Sequence, residues 1–515
     1  MAFTTVWLDP SDPSEPFQGW GTALAWFGHA TGGWPEPVRG RLADLLYGRD
    51  GLGFTIARYN IGGGDGRETE RYLRPGADVP GWWRRPAGVG PVPEDPWPKS
   101  GAPHHGLAAP TNPGRPGPDY RDWWDPAEAM HWDPAADPNQ RWWLRAARDR
   151  GADLFEAFSN SPPYFMTASG VVSGHADGNH NNLRSDQYRA FARYLVGVTR
   201  RLIETDGIPI RTLSPTNEPN TPYWHAFNRQ EGCHWDPRAQ SKIITVLAEE
   251  LRAAGLDRVI IAGPDETNPV GFAADWAGWT PEARAVVGQL NTHTYDIHGR
   301  RAVRRIAAEA GKPLWMSEVD LGPAGLPRDD DDIRAGLALA RQVVGDLTEL
   351  RPRAWVFWQA IEDRRNMIES DQNWGLIQVD FATVDPAAEP IKPNMKYWAL
   401  AQFSRFIRPG AELITTRSDT GAEDTVAALG PEPDRLVVVH VNSRPETATL
   451  RLDLSGFPRL AATASARRWT TAAGRRVEED HPVRVTATET EIPVAARSVT
   501  TVELTGISAD LLSHR

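Results

Sequence analysis

Short apolar runs alternate with amphipathic stretches over residues 18–400. The runs fall at 19–27, 53–61, 153–159, 210–214, 259–263, 290–294, 313–317 and 354–358. Between them, residues 185–205 repeat apolar side chains near a 3.6-residue period through Tyr188, Phe191, Tyr194, Leu195, Val198 and Leu202. Residues 242–254 and 333–350 follow the same helical pattern. Such alternation predicts a parallel sheet with crossover helices. Eight strands of this kind predict an α/β fold, a (β/α)8 TIM barrel, with a doubly wound sheet as the rival. Gly62-Gly63-Gly64-Asp65 lacks the spacing of a dinucleotide-binding loop.

Past residue 400 the period changes to two. Runs at 435–442, 447–454, 462–469, 483–487 and 498–504 predict an antiparallel β-sandwich, and residues 4–8 are expected to add a strand to it. The chain therefore divides into a barrel over 16–399 and a sandwich over 400–515 joined by residues 1–15. Residues 66–140 interrupt the barrel. Positions 71–140 hold 15 of the 44 prolines together with Trp82, Trp83, Trp97, Trp123, Trp124 and Trp132. Proline at that density prevents a continuous helix or central strand, so a long irregular insertion is expected, its tryptophans giving it partial order.

Composition narrows the chemistry. With 56 Lys and Arg against 67 Asp and Glu, the net charge of −11 argues against nucleic acid and against an anionic polymer as partner. The single cysteine, Cys233, excludes an intramolecular disulfide and a Cys-rich metal site. The 22 tryptophans supply flat apolar faces of the kind that stack on sugar rings. The N-terminus shows no basic region followed by an apolar one, and no stretch approaches about 18 apolar residues. No membrane partner is expected. As written the chain reads as cytoplasmic, with secretion open if its start is trimmed or mis-set.

In a parallel barrel, functional side chains sit at the C-terminal ends of strands. Run 210–214 leads into Pro215-Thr216-Asn217-Glu218-Pro219, and run 313–317 into Glu318-Val319-Asp320. Two carboxyls facing each other across a barrel mouth are the minimum equipment for glycoside hydrolysis; one alone reads more simply as a salt-bridged or capping residue. Other features carry less. His104-His105 lacks nearby carboxylates and reads as solvent-exposed. Asp329–Asp332 reads as a solvated loop or helix N-terminus without the Gly and terminal Glu of an EF-hand. Cys233 has no partnered base and reads as a rim or packing residue.

Asn217-Glu218-Pro219 and Ser317-Glu318 resemble the motifs of clan A of the glycoside hydrolases. Gly19-Trp20-Gly21-Thr22-Ala23, Arg58, Ser161-Pro162-Pro163-Tyr164-Phe165-Met166 and His293-Thr294-Tyr295 narrow the resemblance to family 30. Gln230-Glu231-Gly232-Cys233-His234-Trp235 and Ser370-Asp371-Gln372-Asn373-Trp374-Gly375-Leu376 are similar to its endo-β-1,6-galactanase group. The resemblance implies retaining cleavage of β-1,6-linked galactan or galacto-oligosaccharides, with no cofactor or metal. Within the family it leaves open a β-1,6-glucanase, a glucosylceramidase-like enzyme, a xylanase, a β-fucosidase, or exo release of galactose or galactobiose. Outside the enzyme class, a non-catalytic carbohydrate-binding protein is the alternative.

It also implies roles. Glu218 is the acid/base and Glu318 the nucleophile. Asn217 matches the residue that binds the sugar 2-hydroxyl. Tyr295 and His293 reach toward the nucleophile, and Arg58 is expected to hold it ionised while Glu218 needs a raised pKa. Asp65 matches an acidic residue that binds hydroxyls of the terminal-subsite sugar, and Trp358 its stacking floor. Asn160 departs from the pattern, standing near a position where several members carry Trp; a polar amide there is expected to read an axial hydroxyl such as galactose O4. Trp20, Trp224, Trp235 and Trp374, in or beside the motif loops, are expected along the cleft.

Overall fold

The computed structural model describes residues 2–64, 72–86 and 123–508, apart from 323–324, 326–327, 422–423, 433, 458 and 487. After an N-terminal strand β1 (Ala2–Asp9), eight strands close into a barrel in sequence order. They are β2 (Gly19–Ala23), β3 (Ile56–Asn60), β4 (Leu154–Phe158), β5 (Ile210–Ser214), β6 (Ile260–Glu266), β7 (Val287–His293), β8 (Leu314–Glu318) and β9 (Ala354–Gln359). Every neighbouring pair is parallel, and β9 returns to β2. The TIM-barrel expectation holds and the doubly wound rival does not.

The pleat sorts the barrel interior into layers. Side chains two apart point the same way along a strand. Near the strand starts, Ile56, Trp315, Ala354 and Val356 form a small closed apolar cluster, with Leu154 packed on it. Two residues further along the same strands come Arg58, Glu156 and Ser317, all buried. Oil therefore fills the bottom of the barrel and charge fills the level below its mouth.

Element boundaries differ where tertiary partners decide them. The run 19–27 stops as a strand at Ala23, and Ala25–Thr31 is a helix. Strand β6 continues past its predicted end to Glu266, carrying Asp265 and Glu266 to the mouth. The helix expected over 333–350 is regular only through Gly345, and a wider turn covers Asp346–Leu350. That turn carries the buried Asp346 carboxylate, which accepts from Trp355 Nε1 at 2.9 Å and Thr294 Oγ1 at 3.1 Å. Asp332 caps the helix by accepting from the Arg334 amide at 2.8 Å, and Asp331 pairs with Lys392 and Arg476.

A short parallel pair, β10 (Ile361–Asp363) and β11 (Ile377–Val379), precedes the C-terminal module. That module contains β12 (Glu412–Ser418), β13 (Thr425–Leu429), β14 (Arg435–Asn442), β15 (Ala448–Asp453), β16 (Arg459–Ala472), β17 (Arg475–Val483), β18 (Glu489–Val494) and β19 (Ser498–Ser508). Its order is β17-β16-β19-β14-β13-β12-β1-β15-β18, one hydrogen-bonded sheet of nine strands. The sheet curls around its own core, where Leu436 and Val438 of β14 meet Leu450 and Ile492 from its other end. The alternate residues of β14, Val437, Val439 and Val441, join the barrel's core instead. Strand β1 does enter the module, but parallel to β15, so the predicted sandwich is antiparallel only in part.

The described parts of the insertion are anchored by tryptophan. Trp82 is fully buried and its Nε1 donates to the Tyr59 hydroxyl at 3.0 Å. Trp132 stacks on Tyr194 with ring centroids 5.9 Å apart. Asp65, Trp97 and His104-His105 lie outside the described residues. Among the described residues, no helix is long and apolar enough to cross a membrane.

Candidate active site

Glu318 is the last residue of β8, and Glu218 lies four residues beyond β5. Glu218 holds a left-handed backbone, φ 46°, which costs a side-chain-bearing residue energy unless its surroundings fix it. They do so here. Its amide donates to the Asp265 carbonyl at 2.8 Å, while its own carbonyl accepts from Trp224 Nε1 at 2.9 Å and Thr221 Oγ1 at 2.8 Å. The Tyr223 hydroxyl donates to Glu218 Oε2 in a short hydrogen bond.

His293 ends β7 between the two glutamates. Its Nδ1 lies 3.2 Å from Glu218 Oε1 and 3.6 Å from Glu318 Oε1, and its Nε2 faces Asp265 at 3.4 Å. One oxygen of each glutamate and one nitrogen of His293 all fall within 4.8 Å of one another. The Tyr295 hydroxyl donates to Glu318 Oε1 at 3.1 Å. Arg58 reaches the other oxygen, Oε2, at 3.4 Å.

Arg58 is the hub of the charges beneath. It is fully buried and also meets Glu156 at 2.7 Å and Asp265 at 3.0 Å. Burial opposes its charge, but Asp265, Glu156 and Glu318 outweigh burial and hold it well above the usual guanidinium value. Asp265 is the converse: burial raises it, and Arg58 and His293 overcome that and hold it well below the usual carboxylate range. At Glu318 burial wins. It lifts the carboxyl to about 7, against the downward pull of His293 and Arg58 and with the help of Glu218. The expected pull of Arg58 on Glu318 is present, therefore, but smaller than the desolvation it opposes. Burial also disfavours the charge on His293, and Glu318, Asp265 and Glu218 reverse this, raising it to about 10. The spacing of Glu218, His293 and Glu318 is one a divalent cation could span. Binding there would have to displace the proton that Glu318, Asp265 and Glu218 favour on His293.

Above this layer lies a pocket of about 140 Å³. It brings together Asn160, Asn217, Glu218, Tyr295, Glu318 and Trp358, with Trp26 and Trp374 as further walls. Trp358 and Trp26 meet edge to face at 5.1 Å. Asn217 Oδ1 is buried without a hydrogen-bond partner, the state of a group left for a ligand. Other expectations fall away. Trp20, Trp224 and Trp235 are buried off the pocket: Trp20 donates to the Ile407 carbonyl, Trp224 braces the Glu218 loop, and Trp235 stacks on Phe191. Their large apolar areas favour packing over display. Cys233 is buried too, its thiol pushed up to about 12 by desolvation, which rules out a ready nucleophile.

Sequence reasoning missed Asp265, Glu156, Tyr223 and Trp26. Asp265 had a readable signal, since Gly263-Pro264-Asp265-Glu266 follows an apolar run as the two glutamate motifs do. Glu156 sits inside the strand-like run 153–159 and had only its charge to mark it.

A family model described as O-Glycosyl hydrolase family 30 matches residues 126–271. An endo-β-1,6-galactanase of Hypocrea rufa is 29% identical over 493 residues, 92% of this chain and 88% of that protein. An exo-β-1,6-galactobiohydrolase of Bifidobacterium longum subsp. longum is 26% identical, and the alignment spans 96% of this chain but 39% of that longer protein. Among solved structures, the catalytic domain of GH30 xylanase C from Talaromyces cellulolyticus has the same fold, with a TM-score of 0.65 at 20% identity. It covers 97% of this chain and 100% of its own. A conserved exported protein from Bacteroides fragilis reaches a TM-score of 0.74 at 21% identity, over 97% of this chain and 100% of its own. Likeness in fold over nearly the whole chain, a family model over residues 126–271 and relatives named for glycan cleavage agree, and they support an O-glycosyl hydrolase similar to glycoside hydrolase family 30, most of all to its galactanase group.

Proposed function

We propose that this chain hydrolyses β-1,6-linked galactan and its oligosaccharides with retention of configuration. The substrate follows the printed activities of the two relatives. The observation that carries the mechanism is the approach of Glu218 and Glu318 oxygens to within 4.8 Å. Retaining enzymes hold their carboxyls about 5–5.5 Å apart, whereas inverting ones leave about 6.5–9.5 Å for a water.

Glu318 attacks the anomeric carbon as the glycosidic C–O bond breaks, and Glu218 gives its proton to the departing oxygen. Water then attacks the anomeric carbon, the bond from that carbon to the Glu318 oxygen breaks, and Glu218 takes a proton from the attacking water. Tyr295 and Arg58 each hold one oxygen of Glu318, which orients the carboxylate for attack. Asn217, with its free Oδ1 in the pocket, binds a hydroxyl of the sugar, and Trp358 offers a face for the ring.

Product anomers read by NMR on defined β-1,6-galacto-oligosaccharides test this. The β-anomer should form first, and Glu318→Gln should abolish its formation. Initial α-anomer, or wild-type protein no more active than the variant, would reject the mechanism. The endo relative leads us to expect a ladder of intermediates from long galactan. The exo relative favours a second reading, in which galactobiose alone is released.

A further inference from the structure

Between the barrel and the nine-stranded sheet lies a cleft of about 380 Å³ that shares no lining residue with the pocket around Glu218 and Glu318. Four arginines line it: Arg301 and Arg304 from helix Arg300–Ala310, Arg351 just ahead of β9, and Arg417 from β12. They come from both modules, in a chain whose net charge is −11. Among the described residues, three acids stand beside these arginines: Asp9, whose carboxyl is lowered in part by Arg417, Asp12 and Glu349. Asp12 lies 3.2 Å from Arg351 and 4.0 Å from Arg304, and Glu349 lies 3.4 Å from Arg301. Among the described residues, Arg417 has no carboxylate within 4.0 Å. Burial, together with the like charges of Arg351 and Arg301, pushes Arg304 below its usual value despite Asp12.

Guanidiniums that repel one another along one wall of a cleft, as Arg304 does with Arg351 and Arg301, are relieved by an anion in front of them. Their planar donor forks match the oxygens of carboxylate and phosphate. The volume also lies within the range of small-molecule sites, about 300–1,000 Å³. We propose that this cleft is an oxyanion site, taking a small ligand that carries a carboxylate or a phosphate between Arg304 of the barrel and Arg417 of the sheet. Such a ligand bridges the two modules and stabilises the native chain in proportion to its occupancy. The proposal is independent of the reaction assigned to the barrel mouth.

Isothermal titration of the full chain with D-galacturonate and with inorganic phosphate tests it, with D-galactose as the neutral control. At least one anion should bind, raise the melting temperature, and bind more weakly as salt is added. Galacturonate alone identifies a carboxylate ligand, and phosphate alone a phosphate ligand. Arg304→Gln should weaken binding at least tenfold with glycan hydrolysis unchanged. Arg417→Gln, at an exposed strand position, should do the same without risk to folding. The proposal is overturned if neither anion binds, if binding survives both substitutions, or if galactose binds as tightly.

Discussion

Glu318 is raised by burial and lowered by Arg58 and His293, and the balance has a measurable sign. A carboxyl whose folded pKa lies above its ordinary value binds its proton more tightly in the native chain. Its contribution to stability is complete below about pH 4.5 and is lost as pH rises through about 7. Glu318→Gln cannot ionise, so it should melt above wild type at pH 8, with the gap closing between pH 7 and 4.5. A gap that stays constant across that window would contradict the assignment. His293 works in the same direction: its raised value adds stability below about pH 6.5 that fades toward pH 10. Asn160 lies at the pocket wall, where the sequence leads to the expectation that its amide meets the axial hydroxyl of galactose. Asn160→Ala should lower the ratio of galactoside to glucoside hydrolysis about tenfold, the worth of one hydrogen bond. An unchanged ratio removes that role.

The inserted segment shows how one side chain holds an otherwise irregular element. Trp82 is buried against Tyr59 and lies under the Arg141 guanidinium, 5.1 Å from its ring centroid. Trp82→Ala should cost about 3–5 kcal/mol of stability in urea unfolding, the usual result of emptying a large aromatic site. A loss below 1 kcal/mol would show that the segment is not anchored there. The sequence carried the barrel's strands because each is a short apolar run bounded by breakers. It carried Glu218 and Glu318 because both follow such runs directly. It could not carry the layer beneath them. Glu156 and Asp265 lie 98 and 207 residues from Arg58 along the chain, and only closure of the barrel makes them its partners. The buried tryptophans misled for a related reason: a motif loop that forms a cleft also needs side chains that fasten it from behind, as Trp224 fastens Glu218.

At the scale of the molecule, the side module is not a C-terminal appendage. Strand β1 lies between β12 and β15, so residues 405–515 alone lack an internal strand. They also expose Val437 and Val439, which the barrel otherwise covers. That fragment should show no cooperative unfolding by circular dichroism. Joining residues 1–16 to its C-terminus should restore at least part of the transition, and an already cooperative fragment would refute the dependence. The arrangement also sets a clock during synthesis. Strand β12 begins at residue 412, so at about 5–20 residues per second the ribosome has made β1 some 20–80 s before its first neighbour emerges. Throughout that interval β1, whose Phe3 and Trp7 side chains stay partly exposed even in the folded chain, has neither of its sheet neighbours to pair with.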